Sequence, residues 1–139
     1  MRTVMVFGSF DGLHPGHVDF FKQAKKFGNR LIVSVGTDKN VGKIKNKAPL
    51  FSQKERLSLI QNLSIVDKAL IGDEKDFYKH IKALAPSVIC LGYDQWADEA
   101  DVRENLDKVG LSKTQIIRLK SYKPDRAKST NLKAKSVDF

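Results

Sequence analysis

The stretch Val4-Met5-Val6-Phe7-Gly8-Ser9-Phe10-Asp11-Gly12-Leu13-His14-Pro15-Gly16-His17 decides how the rest of the chain is read. Val4 to Phe7 is a short apolar run ended by a glycine, the pattern of a buried strand. Gly8 and Gly12 permit tight turns and a close backbone approach. Pro15 suits the first turn of a helix, where its missing N–H costs nothing. A strand, a glycine-rich turn and a helix start in that order form an anion site, because the helix directs its positive dipole end at whatever lies above it. His14 and His17 straddle the helix start. Both imidazoles are placed to donate to one phosphate cluster and to stabilise charge that grows there during a displacement. By themselves two histidines at this spacing also suit a solvated surface or a pair of metal ligands.

Outward from this loop, strands and helices alternate. Val18, Phe21 and Ala24 mark the first helix, which is expected to end near Phe27-Gly28 with Gly28 as a left-handed cap. Leu31 to Val35 is a second strand. Gly36 to Pro49 is polar and lysine-rich with no apolar period, so a long loop is expected, of the kind that is functional or mobile in compact domains. Ser52-Gln53-Lys54-Glu55 is a capping-box pattern that opens a helix with Leu57, Ile60 and Leu63 on its apolar face. Ala69 to Ile71, Val88 to Leu91 and Ile116 to Leu119 are further strands. Phe77 to Leu84, stopped before Pro86, and Asp98 to Val109, stopped by Gly110, are further helices. Ser129-Thr130 is placed to cap a last short one. This order predicts an α/β fold: a Rossmann-like α/β/α sandwich with a five-stranded parallel sheet, in one domain over residues 1–139. Ligands of such sheets bind beyond the carboxyl ends of the strands. The polar segments 8–17, 36–49 and 92–98 all follow strands and are expected to meet in one crevice.

Composition narrows the function. The 139 residues suit one domain that buries roughly two-thirds of its unfolded surface. Lys and Arg number 25 against 16 Asp and Glu, a net charge of +9, which favours anionic partners. A single cysteine, Cys90, excludes an intramolecular disulfide, and its apolar setting marks it as a structural core residue. No apolar run approaches the ~20 residues of a membrane-spanning helix, and the first residues lack a signal-peptide pattern, so a cytoplasmic protein without membrane contact is expected.

The residues Gly8-Ser9-Phe10-Asp11 followed by His14-Pro15-Gly16-His17 resemble the cytidylyltransferase-like branch of the HIGH-motif nucleotidyltransferases. Thr37-Asp38 with the lysines after it, Glu55-Arg56, Val66-Asp67 and Leu91-Gly92-Tyr93-Asp94-Gln95 are similar to further blocks of that family. The resemblance implies transfer of a nucleoside monophosphate from a nucleoside triphosphate to a phosphate-bearing acceptor, with release of pyrophosphate, often by a homodimer. It places Ser9, Phe10, Asp11, His14, Pro15, Gly16 and His17 around the nucleotide. His14, His17 and the lysines Lys43 and Lys45, with Lys47 beside them, are then the catalytic donors. A divalent ion, expected as Mg²⁺, would bridge the triphosphate, and no metal ligands are assigned to the protein.

Asp94 follows a glycine at a strand end, where a carboxylate suits either a ribose or base contact or a turn. Trp96 suits a stacked ring, the core or an interface equally. Asp11 suits a metal, or its own loop. Arg56, a cation near a helix start, suits a phosphate, a partner subunit or an acidic neighbour. The tail carries Tyr122, Arg126, Ser129 and Thr130, and the last two match the family's phosphate-contacting pair. In glycerol-3-phosphate cytidylyltransferases this block has a glycine and a longer spacing, which Arg126-Ala127-Lys128-Ser129-Thr130 lacks. The block from Leu91 to Gln95, together with Tyr122, is similar to archaeal FAD synthases, in which ATP adenylates FMN. The expectation is therefore ATP and FMN as substrates, with CTP and glycerol-3-phosphate, or a sugar phosphate, as the alternative. A basic nucleic-acid-binding module requires cations interleaved with exposed aromatics. Here the lysines cluster in loops and the phenylalanines on apolar faces, so nucleic acid is not the expected partner.

Overall fold

The computed structural model describes residues 2–45, 49–73, 75–93, 95 and 97–121. Five strands, β1 (Thr3–Gly8), β2 (Arg30–Val35), β3 (Lys68–Ile71), β4 (Val88–Leu91) and β5 (Gln115–Arg118), alternate with helices α1 (Pro15–Lys25), α2 (Asp38–Lys45), α3 (Gln53–Gln61), α4 (Phe77–Leu84) and α5 (Glu99–Lys108). The strands form one sheet in the order β3-β2-β1-β4-β5. All four pairings are parallel, with Gly8 opposite Val35, Val4 opposite Val88, and Ile89 opposite Ile116. The chain winds outward from β1 to β3, then returns past β1 to start the other half at β4. The switch point therefore falls between the adjacent strands β1 and β4, where a crevice opens beyond the strand ends.

Period-two alternation along the strands divides the core into two layers. Val4, Val6, Leu31, Val33, Val35, Val88 and Cys90 pack with Phe21 and Ala24 of α1 and Ile60 of α3. Met5, Ile32, Ile89 and Leu91 pack with Ile81 of α4 and with Val102 and Leu106 of α5. The predicted α/β/α sandwich is thus present. The helix caps follow the sequence signals: Ser52 Oγ accepts from the Glu55 N–H at 3.2 Å while Glu55 returns the bond to the Ser52 N–H at 2.9 Å.

Two expectations are corrected. Segment 36–49 is not a loop throughout, because Asp38–Lys45 is helical. Thr37 caps it through its hydroxyl, which accepts from the Asn40 N–H at 3.1 Å, and its carbonyl accepts from the Val41 N–H at 2.9 Å. Val41 is buried against Gly36, where a Cβ would come within 2.9 Å of a Val41 methyl. A cap and a buried valine hold this short helix without the repeated apolar period by which longer helices are recognised. Gly28 is not a left-handed cap either, since the only positive-φ glycines among the described residues are Gly12 and Gly110. It is small because the chain passes the Arg2 carbonyl there, 2.5 Å from where a Cβ would sit.

Candidate active site

The loop after β1 is held from beneath and from the side. Phe10 adopts φ 51° and turns its ring into the core, edge-on to His17 at 5.5 Å and against Phe21 at 5.2 Å. Any contact of Phe10 with a nucleotide is therefore left to its backbone. Gly8 has no room for a side chain, because a Cβ would lie 2.7 Å from the Phe10 ring. Asp11 is buried, and its two carboxylate oxygens accept from the Leu50 and Phe51 N–H groups at 2.7 and 2.8 Å. Asp11 thus ties its own loop to the segment that leads into α3.

His14 and His17 stack at the start of α1, their ring centroids 4.1 Å apart. His14 Nδ1 accepts from the Gly16 N–H at 2.9 Å, and His17 Nδ1 accepts from the His14 N–H at 3.4 Å. An imidazole that accepts at Nδ1 carries its proton on Nε2. Both rings are thereby fixed as Nε2–H donors. Burial holds the His14 pKa below its usual value, which keeps that ring neutral near pH 7. The helix start differs from expectation in one respect. Pro15 has no N–H, the Gly16 N–H is taken by His14, and the His17 N–H donates to the His14 carbonyl at 2.9 Å. The imidazoles thus stand at the helix terminus, whose first backbone N–H groups are already taken.

The loops after β2 and β4 are fixed by two arginines. Arg56 of α3 is fully buried and reaches four acceptors: the carbonyls of Phe51 at 3.0 Å, Ser9 at 2.8 Å and Gly36 at 2.8 Å, and the Asp38 carboxylate at 2.8 Å. It gathers the loops after β1 and β2 into one frame, and of the readings left open for it the acidic neighbour is the one observed. Arg118 at the end of β5 donates to the carbonyls of Gly92 at 2.9 Å, Gln95 at 3.1 Å and Ala97 at 2.6 Å, and to Glu99 at 2.8 Å. Gln95 completes this frame. Its carbonyl oxygen accepts from the Gly92 N–H at 2.7 Å and its amide donates to the Phe7 carbonyl at 3.0 Å. Arg118 and Gln95 were not expected as site-forming residues. The available signal was a cation inside an apolar strand, which must find acceptors or stay unburied.

A cavity of about 620 Å³ opens beyond the carboxyl ends of β1, β2, β3 and β4 on the α4/α5 side. Gly8 and Ser9 from the first loop, Gly36, Thr37, Asn40 and Val41 from the second and Gln95, Ala97 and Asp98 from the third all contribute to its walls, so the expected convergence of three loops is observed. The apolar lining includes Phe7, Phe77, Tyr78, Ile81, Ile89 and Leu91. Lys43 and Lys45 fall in the last turn of α2. Lys47, Asp94, Trp96, Tyr122, Arg126, Ser129 and Thr130 lie outside the described residues. Among the described residues no group of three His, Cys, Asp or Glu side chains is arranged to hold a metal. None of their helices is long and apolar enough to cross a membrane.

The cytidylyltransferase-like family profile matches residues 5–135. The chain belongs to that family. A protein of Archaeoglobus profundus named FAD synthase is 42% identical over 139 residues, covering 99% of this chain and 88% of its own. A protein of Thermoplasma volcanium with the same name is 36% identical, covering 100% of this chain and 96% of its own. A crystal structure described as the lipopolysaccharide core biosynthesis protein of Thermoplasma volcanium superposes with a TM-score of 0.83 at 39% identity, over 88% of this chain and 98% of that one.

Proposed function

We propose that this member of the cytidylyltransferase-like family is an FMN adenylyltransferase, forming FAD and pyrophosphate from ATP and FMN. The observation that carries the reading is the pair of imidazoles fixed as Nε2–H donors on a loop whose Gly8 and Ser9 also wall the cavity. One short stretch of chain thereby adjoins both a phosphate site and a hydrophobic chamber. Relatives named FAD synthase at 33–44% identity over most of the chain support the same substrates. The cavity, walled by two phenylalanines and a tyrosine, has the size and character of a pocket for a flat aromatic ring. Glycerol-3-phosphate has no apolar surface to place against those walls, which disfavours the cytidylyl alternative.

In this reaction a phosphate oxygen of FMN attacks the α-phosphorus of ATP. A new P–O bond forms, the bond to the β-phosphate bridging oxygen breaks, and pyrophosphate leaves with that electron pair. The attacking phosphate is already ionised at neutral pH, so the work left to the protein is positioning and charge stabilisation. His14 and His17 donate to the α-phosphate oxygens and to the leaving bridge. Lys43 and Lys45 approach the β- and γ-phosphates. Ser9, Phe10, Asp11, Pro15 and Gly16 shape the nucleotide side, through the backbone where their side chains are already committed. Asp94, Tyr122, Ser129 and Thr130 are assigned to the nucleotide from the family resemblance. A divalent ion such as Mg²⁺ would accompany the triphosphate and partly neutralise its charge. A cytoplasmic homodimer belongs to the same proposal, and a single monomeric mass in analytical ultracentrifugation would overturn the dimer.

The decisive assay pairs ATP or CTP with FMN or glycerol-3-phosphate and measures pyrophosphate and FAD. FAD formed with ATP alone is expected. CDP-glycerol, or no product from any pair, overturns the assignment.

A further inference from the structure

His80 is the third histidine of the chain and takes no part in the loop after β1. It lies on α4, half-buried, and its Nε2 is 3.0 Å from Ser34 Oγ on β2. Ser34 is buried, lines the cavity, and is paired in register with Phe7, another wall residue. The face of the sheet on which the two stand is otherwise built of Met5, Ile32, Ile89 and Leu91. A hydroxyl and an imidazole set into such a face lose their hydration on burial and regain one bond from each other. Other polar wall groups have an evident structural role, since Thr37 caps α2 and Gln95 holds Gly92 and Phe7. The Ser34–His80 bond instead joins β2 to α4 across the cavity wall. Room has also been left for it, because a Cβ on Gly72 would come within 3.2 Å of the Ser34 hydroxyl.

We propose that Ser34 is the polar specificity determinant of the acceptor cavity, hydrogen-bonding the heteroatom edge of a planar ring ligand, with His80 as the positioning residue that sets which way the hydroxyl points. The inference rests on the FMN reading and names how that acceptor is told from a purely hydrophobic ring. A hydroxyl has one donor and two acceptor sites, and the bond to His80 uses one of them. If Ser34 donates to His80, its oxygen accepts from a ring N–H. If His80 donates, Ser34 gives its proton to a ring carbonyl or nitrogen. Both kinds of group alternate along the pyrimidine edge of an isoalloxazine.

The test is steady-state kinetics of FAD formation with ATP and FMN varied separately, for the wild type and for Ser34→Ala, His80→Phe and His80→Gln. Ser34→Ala and His80→Phe are expected to raise KM for FMN by about fivefold or more, the effect of losing one buried hydrogen bond, with KM for ATP and kcat within about twofold of wild type. His80→Gln, which keeps an amide in place of Nε2, is expected to restore most of the loss. Unchanged KM for FMN in both Ser34→Ala and His80→Phe overturns the proposal, as does a parallel change in KM for ATP. His80 is only half-buried, so its variants remain informative should Ser34→Ala fold poorly. A wild-type protein that forms no FAD fails at the enzymatic reading itself, which is a different result from FAD formation that is indifferent to Ser34 and His80.

Discussion

The guanidinium of Arg56 donates to the carbonyl oxygen of Ser9 at 2.8 Å. Ser9 belongs to the loop that carries the two histidines, and Arg56 is on a helix remote from it in sequence. The same guanidinium holds Phe51, Gly36 and Asp38. Replacing Arg56 with Met keeps the volume and strips the partners from three carbonyls and a carboxylate. Stability is expected to fall by roughly 3 kcal/mol or more, the scale for removing one member of a buried charged network. Urea unfolding followed by circular dichroism measures it, and a loss under about 1 kcal/mol would contradict the role given to Arg56. Arg56→Lys is expected to recover little, since a single ammonium cannot span acceptors that a planar fork reaches together.

Removing a transition-state donor gives a different signature. His17→Ala is expected to lower kcat by about 10²- to 10³-fold with the fold intact. Retention of activity within about tenfold would mean that His17 does not act on the reacting phosphate.

Gly16 tests whether the orientation of His14 matters. A Cβ there would lie 2.6 Å from His14 Cε1, so Gly16→Ala must push the ring off its bond to the Gly16 N–H. The expected result is a fall in kcat comparable to that of His14→Ala, with far-UV circular dichroism unchanged. Wild-type turnover in Gly16→Ala would show that His14 works equally well in another position.

The pH dependence follows from the direction of two shifts. Burial lowers the pKa of His14, and burial lowers that of His80 against the opposing pull of Asp73. Each ring is thus held neutral in the folded chain at a pH where the unfolded chain already binds a proton. Stability from these groups is fully present above pH 6.5, their unfolded value, and is lost as pH falls through the folded values. NMR titration of the ring protons is expected to give midpoints below 6.5 for both, and a midpoint at or above 6.5 for His14 would contradict its burial against Gly16.

Cys90 lies in the core with its thiol pKa pushed up to about 12 by burial. It is expected to resist aromatic disulfide reagents at about pH 8 in the native protein and to react fully in denaturant. Rapid native labelling would show that β4 opens readily.

The sequence was legible where one local rule acted alone. The apolar run Val4 to Phe7 ended by Gly8 defined a strand, the Ser52–Glu55 box opened a helix at the right residue, and Pro86 marked the end of another. Helix α2 escaped because its stability comes from Thr37 and from one buried valine instead of from a repeating face. Arg56 was recognised as oddly placed, but its acceptors are spread from Ser9 to Phe51 and no spacing rule connects them. Ser34 and His80 were invisible for the same reason: a bond across 46 residues leaves no pattern in either neighbourhood. Local chemistry marked the histidine loop as the candidate site, whereas the parts that frame it are joined only by tertiary contacts.

Arg56 and Arg118 both spend their donors on main-chain carbonyls of the loops that surround the crevice. The entropy of ordering those loops is therefore surrendered when the chain folds, before any substrate arrives. Binding energy from the nucleotide and the acceptor is left for bringing two anions together, which is the costly part of joining one phosphate to another.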